Sequence, residues 1–119
     1  MKDFRKLEVW EKAHRLTLLV YKYTKSFPKE ELFGLTSQMR RSSSSIPTNI
    51  CEGCGRGSDA ELSRFSIISM GSASELEYQI LLSSDLNYIT ENVFEELSAK
   101  TIEVKKMLTS LIKKLKADR

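Results

Sequence analysis

Apolar residues recur along the first part of the chain at alternating steps of four and three, the spacing of one face of an α-helix. The members of this series are Val9, Ala13, Leu16, Val20, Tyr23 and Phe27. Four further apolar residues widen the series, as expected of a helix that contacts two neighbours in a bundle; they are Trp10, Leu18, Leu19 and Tyr21. Phe27-Pro28 ends the series, because a residue before proline is disfavoured in the helical region. The pattern predicts a first helix over residues 7–26.

A second series predicts a helix over residues 30–53 and continues across a proline. Its members are Leu32, Leu35, Met39, Ser42, Ile46, Ile50 and Gly53. Pro47 cannot donate a hydrogen bond to the carbonyl of Ser43, and its ring crowds that carbonyl, so we expect a kink there. Hydroxyl groups of serines 42–45 can bond nearby backbone carbonyls. One long kinked helix is therefore expected, with two shorter helices as the alternative.

Two more helices are predicted over residues 59–88 and 91–117. Glycines 53, 55 and 57 end the second helix, and Ser58 with Glu61 forms the pattern of a capping box. The third series comprises Leu62, Phe65, Ser69, Ser72, Leu76 and Ile80, with small residues at 71–74. Thr90 is the expected N-cap of the last helix, whose series comprises Phe94, Leu97, Val104, Leu108, Leu111 and Leu115.

Four helices of similar length joined by short connections favour antiparallel neighbours. The composition agrees, since 40% of the residues are hydrophobic and 29% charged, with only five glycines and two prolines. This profile is typical of helix-rich globular proteins. The sequence predicts one all-α domain over residues 1–119, an antiparallel four-helix bundle with up-down-up-down topology.

Membrane insertion and secretion are not expected. The longest apolar run, Leu18 to Tyr21, has four residues, whereas a membrane-spanning helix needs about 20. The charged N-terminus is followed by no apolar stretch of the kind found in signal peptides. Cys51 and Cys54 alone make no disulfide framework. We therefore expect a cytoplasmic protein with reduced thiols and no membrane partner.

The residues with catalytic or metal-binding potential do not assemble into a recognisable catalytic pattern. Glu11 and His14 have the Glu-x-x-His spacing of di-iron bundles, but such a site needs two pairs and the chain has one histidine. Cys51 and Cys54 lack the second pair that zinc requires and the βαβ context of a redox motif. Glycines 53, 55 and 57 do not form a phosphate-binding loop, because no strand is predicted before them and no Gly-Lys-Ser/Thr sequence follows. The sequence predicts no catalytic residues, metal, cofactor or small-molecule substrate, and hence no enzyme.

Charge is distributed in blocks along the chain. Residues 1–59 carry 11 basic and 7 acidic side chains, residues 60–99 carry 1 and 7, and residues 100–119 carry 7 and 2. Basic segments attract phosphates. The candidate nucleic-acid contacts are Arg40, Arg41, Arg56 and Arg64, together with the C-terminal lysines. Solvated helix faces of mixed sign are the alternative.

Polar residues in the helical middle form a second candidate set. They are Gln38, Arg41, Asn49, Glu52 and Glu75. A network between the second and third helices, in which Glu75 meets Arg41, Asn49 or Glu52, would fix the helix register. The alternative is that most of these side chains face solvent.

Considered together, the segments resemble the four-helix bundle family of 23S rRNA intervening-sequence, or S23-like, proteins. The resemblance covers nearly the whole chain. Its carriers are Phe4, Leu7, Val9-Trp10, Ala13, Phe27-Pro28, Leu35, Gln38, Arg40-Arg41, Ser45-Ile46-Pro47, Asn49-Ile50, Glu52-Gly53, Gly71-Ser72 and Glu75-Leu76. The chain departs from the family pattern at Cys51, where alanine is common, and at Ser42 and Ser43, where small apolar residues are usual.

The resemblance implies a bundle that assembles into a ring-like homo-oligomer, a homopentamer, without established enzymatic activity. The chain is also distantly similar to the accessory protein of diversity-generating retroelements, a basic pentameric bundle thought to engage nucleic acid and a reverse transcriptase. The leading hypothesis is a homo-oligomer that binds structured RNA or DNA through its basic surface. The alternative is a structural or protein-interaction module that binds no nucleic acid.

Overall fold

Four long α-helices make up most of the computed structural model, which describes residues 2–117. The helices are α1 (Glu8–Thr24), α2 (Leu35–Gly55), α3 (Asp59–Asp85) and α4 (Glu91–Ala117). Single 3₁₀ turns at Phe4–Lys6 and Lys29–Glu31 precede α1 and α2. No strand occurs within residues 2–117. The expected all-α class with four helices is confirmed.

Each helix packs against its neighbours in sequence, and α4 closes the bundle against α1. No Cα atom of α1 lies within 8 Å of a Cα atom of α3, and the same holds for α2 and α4. The helices therefore occupy the corners of a square, with α1 diagonally opposite α3. The core is formed by the predicted series, and its fully buried members include Leu16, Val20, Met39, Ile46, Ile50, Leu62, Leu76, Ile80, Leu97, Val104 and Leu108.

The second helix runs without interruption from Leu35 to Gly55 with Pro47 inside it. The alternative of two shorter helices is therefore wrong. The hydroxyl of Thr17, on α1, lies 2.9 Å from the carbonyl oxygen of Ser43 and 3.0 Å from that of Ala13, so its one proton is shared between these two acceptors. Ser43 is the residue whose carbonyl a proline at position 47 cannot satisfy. A buried side chain of the neighbouring helix thus replaces the missing backbone donor.

The helix α2 begins later than residue 30, the predicted start. Gly34 has φ −114° and ψ −117°, outside the helical region, and the backbone N–H of Leu35 donates to Glu31 Oε1 at 3.1 Å. Leu32, expected in the core series, precedes the helix and is exposed. The side chain of Glu31 thus satisfies one of the free N–H groups of the first turn of α2.

The helix α3 ends at Asp85 rather than at residue 88. Asn87 adopts φ 63°, the left-handed conformation common after helix ends. The N–H of Tyr88 then returns to the carbonyl of Ser83 at 2.9 Å. This closing hydrogen bond reverses the chain direction toward α4.

Two expectations about caps and burial need correction. Ser58 Oγ accepts the N–H of Glu61 at 3.2 Å, as expected, but the Glu61 carboxylate turns to Arg64 Nε at 2.8 Å instead of back to residue 58. Leu18 and Tyr21, expected to widen the buried face of α1, are exposed. They lie on the side of α1 that faces away from the core. The opposite side of the helix, which carries Leu16 and Val20, is the one that packs in the bundle.

Candidate functional site

A polar groove of about 620 Å³ lies between α2 and α3. It is lined by Gln38, Arg41, Ser42, Ser45, Ser72 and Glu75. The groove exists because both helices present short side chains there: the serine run of α2 faces the small residues 71–74 of α3. Short side chains let two helices approach closely while leaving polar surface between them.

Hydrogen bonds within this groove join the two helices. Ser42 Oγ donates to Glu75 Oε1 at 2.9 Å, and the hydroxyls of Ser45 and Ser72 lie 2.8 Å apart. Asn49 Nδ2 donates to the carbonyl and the hydroxyl of Ser45 at 2.8 and 3.0 Å. Serines therefore form the link between α2 and α3, although sequence reasoning placed none of them in the network.

The five residues of the expected network are thus only partly brought together. Glu75 meets Ser42 rather than Arg41, Asn49 or Glu52, and Glu52 pairs with Arg56 at 3.1 Å. The side chains of Gln38 and Arg41 line the groove and are exposed. Neither of them makes a side-chain hydrogen bond or ion pair within the part of the chain that the structure describes. Arg41 therefore lines the groove without a direct ion pair, and the carboxylate of Glu75 lines the same groove.

The four candidate arginines divide between the two ends of the bundle. Arg40 donates to Thr24 Oγ1 at 2.9 Å and lies over the ring of Tyr21 at 4.8 Å. Fifteen residues separate Arg41 from Arg56, about 22 Å along a helix axis. One continuous arginine surface on a single copy of the chain is therefore not formed.

At the far end, Arg56 and Arg64 lie over the ring of Phe65, at 5.1 and 4.4 Å from its centre. Both are paired with carboxylates, Arg56 with Glu52 and Arg64 with Glu61. The hydrogen bond from Arg64 lowers the pKa of Glu61, and the same bond raises the pKa of Arg64. The charges of these two arginines are thus largely compensated.

The outward surface of α3, which we call the α3 outer face, is unusually apolar. It consists of Ile67, Gly71, Ser74, Tyr78 and Leu81, spaced at steps of four and three. The three large members are exposed, Tyr78 by 61%. No other element of residues 2–117 covers this face. An apolar stripe of this kind is typical of a surface that another molecule covers.

The residues with metal-binding or redox potential are dispersed. His14 stacks on Trp10, and Glu11 accepts a hydrogen bond from Arg15 at 2.8 Å. Among residues 2–117, no three His, Cys, Asp or Glu side chains are grouped so that they could hold a metal ion. Burial raises the pKa of the Cys54 thiol, which disfavours the reactive thiolate.

None of the helices between Lys2 and Ala117 is long and apolar enough to cross a membrane.

Comparison with known proteins identifies the family. The sequence model of the 23S rRNA-intervening sequence proteins matches residues 5–110. The chain belongs to this family. The match spans all four helices except the last turns of α4, so the polar groove and the α3 outer face of this intervening sequence protein both lie inside the family region.

A solved structure supports the fold of this intervening sequence protein. It is the crystal structure of a protein with unknown function from the S23 ribosomal protein family of Bacteroides thetaiotaomicron. The two chains share 29% sequence identity and superpose with a TM-score of 0.79, over 88% of this chain and 98% of the other. Among curated proteins, none matches the sequence.

Proposed function

We propose that this intervening sequence protein is a non-enzymatic, self-associating bundle that works in the cytoplasm as a binding module. The observation that carries the proposal is the α3 outer face, where Ile67, Tyr78 and Leu81 lie exposed in one line along a helix. Exposed apolar surface of this length costs free energy in water, and covering it by a second copy recovers that free energy. A ring-like homo-oligomer, the pentamer implied by the family resemblance, is the assembly proposed.

Self-association is tested by the mass of the protein in solution. Light scattering or sedimentation is expected to show an assembly larger than one chain for the natural sequence. The double substitution Ile67→Ser with Tyr78→Ser should shift the protein toward monomer while circular dichroism stays helical. Phe33→Ser is the matched control, because Phe33 is 94% exposed but lies in the loop before α2 and not on α3. A natural protein that stays monomeric at high concentration would refute the proposal.

Nucleic-acid binding is a second candidate function, and it is favoured by a basic cluster on α4. Lys106, Lys113, Lys114 and Lys116 are exposed near the C-terminal end of that helix. No ion pair between described residues involves any of them. The unpaired Arg41 lies at the opposite end of the bundle, on α2, which is diagonal to α4. A single copy therefore presents separate basic areas, and an assembly is needed to give a nucleic acid several contacts at once.

Filter binding of ribosomal RNA at several salt concentrations tests this second function. Phosphate contacts require an affinity that falls steeply as salt rises. Substitution of Lys113 and Lys114 by Gln should weaken binding and flatten the salt dependence. Arg64→Gln is the control, since that guanidinium is already paired with Glu61. Absence of binding at low salt would leave the protein-interaction module as the function.

The kink expected at Pro47 belongs to the same proposal. Proline inside a helix bends it, and a bend in α2 would set the curvature of the surface that α2 and α3 share. The angle between the helix axes before and after residue 47 measures this bend.

A further inference from the structure

The groove between α2 and α3 has an entirely polar lining. All six residues around its volume of about 620 Å³ are polar or charged, and none of them is aromatic. An apolar ligand finds no matching surface there, and a nucleobase finds no ring on which to stack. The groove therefore suits a small and strongly polar molecule.

The floor of the groove is already hydrogen-bonded within the protein. Ser42 is only 4% exposed, and its hydroxyl donates to Glu75 Oε1 at 2.9 Å. The hydroxyls of Ser45 and Ser72 bond to each other at 2.8 Å. Because a buried hydroxyl holds it, the carboxylate of Glu75 has a defined position before any ligand arrives. Groups positioned in advance bind a ligand at a smaller cost in conformational freedom.

Three groups at the rim of the groove keep free hydrogen-bonding capacity. The Arg41 guanidinium and the Gln38 amide, on α2, make no side-chain hydrogen bond within residues 2–117, and neither does Glu75 Oε2 on α3. No nitrogen of Arg41 lies within 4.0 Å of a carboxylate oxygen of Glu75. One wall thus carries positively charged donors and the other a negatively charged acceptor, without a direct bond between them.

A further acceptor without a partner lies one turn beyond Glu75. Gln79 follows Ser72 and Glu75 at steps of three and four, so it belongs to the row of α3 that faces α2. It is 5% exposed, and its Oε1 has no hydrogen-bond partner among the described residues. A buried acceptor in this condition costs free energy. The boundary between α2 and α3 therefore has more acceptors than the protein itself satisfies.

The two opposite charges of the groove determine the charge of its ligand. A simple anion is attracted by Arg41 but repelled by Glu75, and a simple amine meets the reverse. A zwitterion satisfies both, because its carboxylate accepts the paired donors of the guanidinium and its ammonium donates to Glu75 Oε2. A free α-amino acid carries these two groups on one carbon atom and presents both at once.

We propose that the groove binds a free α-amino acid with a polar side chain, its carboxylate on Arg41 and its ammonium on Glu75. Gln38 offers its amide to the polar side chain of the ligand. The inference goes beyond the proposed function, because the α3 outer face and the lysines of α4 both lie outside the groove.

Titration calorimetry and amide chemical shifts test the proposal, with L-serine and L-glutamine as probes. Both amino acids should give saturable binding and shift the resonances of Ser42 and Ser72. N-acetyl-L-serine lacks the ammonium and L-serinamide lacks the carboxylate. Each should bind about tenfold more weakly than L-serine or worse, as expected when a charged hydrogen bond is lost. No saturable binding of either amino acid, or equal binding of a derivative, would overturn the proposal.

Substitutions locate the binding site. Arg41→Gln and Glu75→Gln should each weaken binding about tenfold or more, while circular dichroism stays helical because both side chains are exposed. Arg56→Gln and Glu52→Gln are the matched controls on α2. These two side chains pair with each other outside the groove, so both variants should bind like the natural protein. Undiminished binding by Arg41→Gln or Glu75→Gln would show that the site is wrong. Arg41→Lys and Glu75→Asp, which keep the charge but change its geometry, replace a Gln variant that loses its helical spectrum and should also bind more weakly.

Discussion

Thr17, on α1, has a role that concerns the neighbouring helix α2. A proline inside a helix ordinarily costs about 3 kcal/mol or more, partly because one carbonyl loses its partner. Here that carbonyl belongs to Ser43, and Thr17 Oγ1 donates to it across the α1–α2 interface. Both Thr17 and Pro47 are buried, and both line a depression on the α1–α2 side of the bundle. The effects of Pro47 in α2 and Thr17 in α1 on stability should therefore be coupled.

Substitution of Thr17 by Val should lower the free energy of unfolding by about 1–3 kcal/mol, the usual cost of leaving a buried acceptor unsatisfied. Urea denaturation measures this change in the free energy of unfolding. The control is Pro47→Ala, which restores a backbone N–H for the Ser43 carbonyl. In that background Thr17→Val should cost less, and the difference is the coupling between the two residues. Equal costs in both backgrounds would contradict the compensation.

For a buried serine without a hydrogen-bond partner, we expect the opposite effect: removal of its hydroxyl should not lower the stability. Ser66 is 0% exposed, and its hydroxyl has no hydrogen-bond partner among the described residues. Burying an unsatisfied hydroxyl costs free energy, so Ser66→Ala should leave the protein as stable or more stable by about 1 kcal/mol. Ser69→Ala is the matched control on the same helix. Its hydroxyl donates to the Ile46 carbonyl at 2.8 Å, and its loss should destabilise by about 1 kcal/mol.

At the scale of elements, Gly53 lets α2 and α3 approach closely beside the turn that connects them. A Cβ at Gly53 would lie 3.0 Å from the Cα and Cδ1 of Leu62 and 3.0 Å from the Cβ of Phe65. The contact with the backbone of Leu62 cannot be relieved by a side-chain rotation. Gly53 therefore fixes the distance between the two helices next to their connecting turn, while Gly55 has open space around it.

Gly53→Ala should destabilise the protein by about 1–3 kcal/mol, the range for overpacking in a well-packed interface. Gly55→Ala should instead stabilise it by about 0.5–1 kcal/mol, because alanine reduces the freedom of the unfolded chain and favours the helix. The stabilities of the two variants are compared by thermal and urea denaturation. Similar effects of both substitutions would show that α2 and α3 can separate at this point without cost.

The sequence predicted these elements well where one apolar series faced one core. The fourth helix matches its predicted bounds, and the capping serine at residue 58 was visible as a pattern. The start of α2 was missed because the 3₁₀ turn at Lys29–Glu31 continues the polar spacing of a helix until Gly34 interrupts it. Local periodicity does not distinguish a short turn from the first turn of a helix.

At the scale of the whole molecule, the surfaces proposed for function were harder to predict. The helices α1 and α3 each carry two apolar series, and a one-dimensional pattern does not say which of them faces the core. Leu18 was therefore expected inside, and the α3 outer face was not recognised. The separation of Arg41 from Arg56 was available from helix length alone, since fifteen helical residues span about 22 Å.

Two tyrosines join parts of the bundle that are distant in sequence. Tyr23, on α1, donates to Glu96 Oε1 on α4 at 2.5 Å. Tyr88, before α4, donates to Glu31 Oε2 in the loop before α2 at 2.9 Å. In each case the hydrogen bond to the carboxylate is the main cause that raises the pKa of the tyrosine. The folded bundle therefore holds these two protons more tightly than the unfolded chain does.

Alkaline pH should consequently weaken the bundle through these two residues. An unperturbed tyrosine has a pKa of about 10. Because the folded values are higher, the contribution to stability is complete below about pH 10 and is lost as pH rises toward the folded pKa. The stability difference between the natural protein and Tyr23→Phe or Tyr88→Phe should shrink over that interval in urea denaturation series.

Tyr78→Phe is the control, since the Tyr78 hydroxyl has no hydrogen bond within residues 2–117. A difference that stays constant for Tyr23 and Tyr88 would mean that these hydrogen bonds do not hold the bundle together.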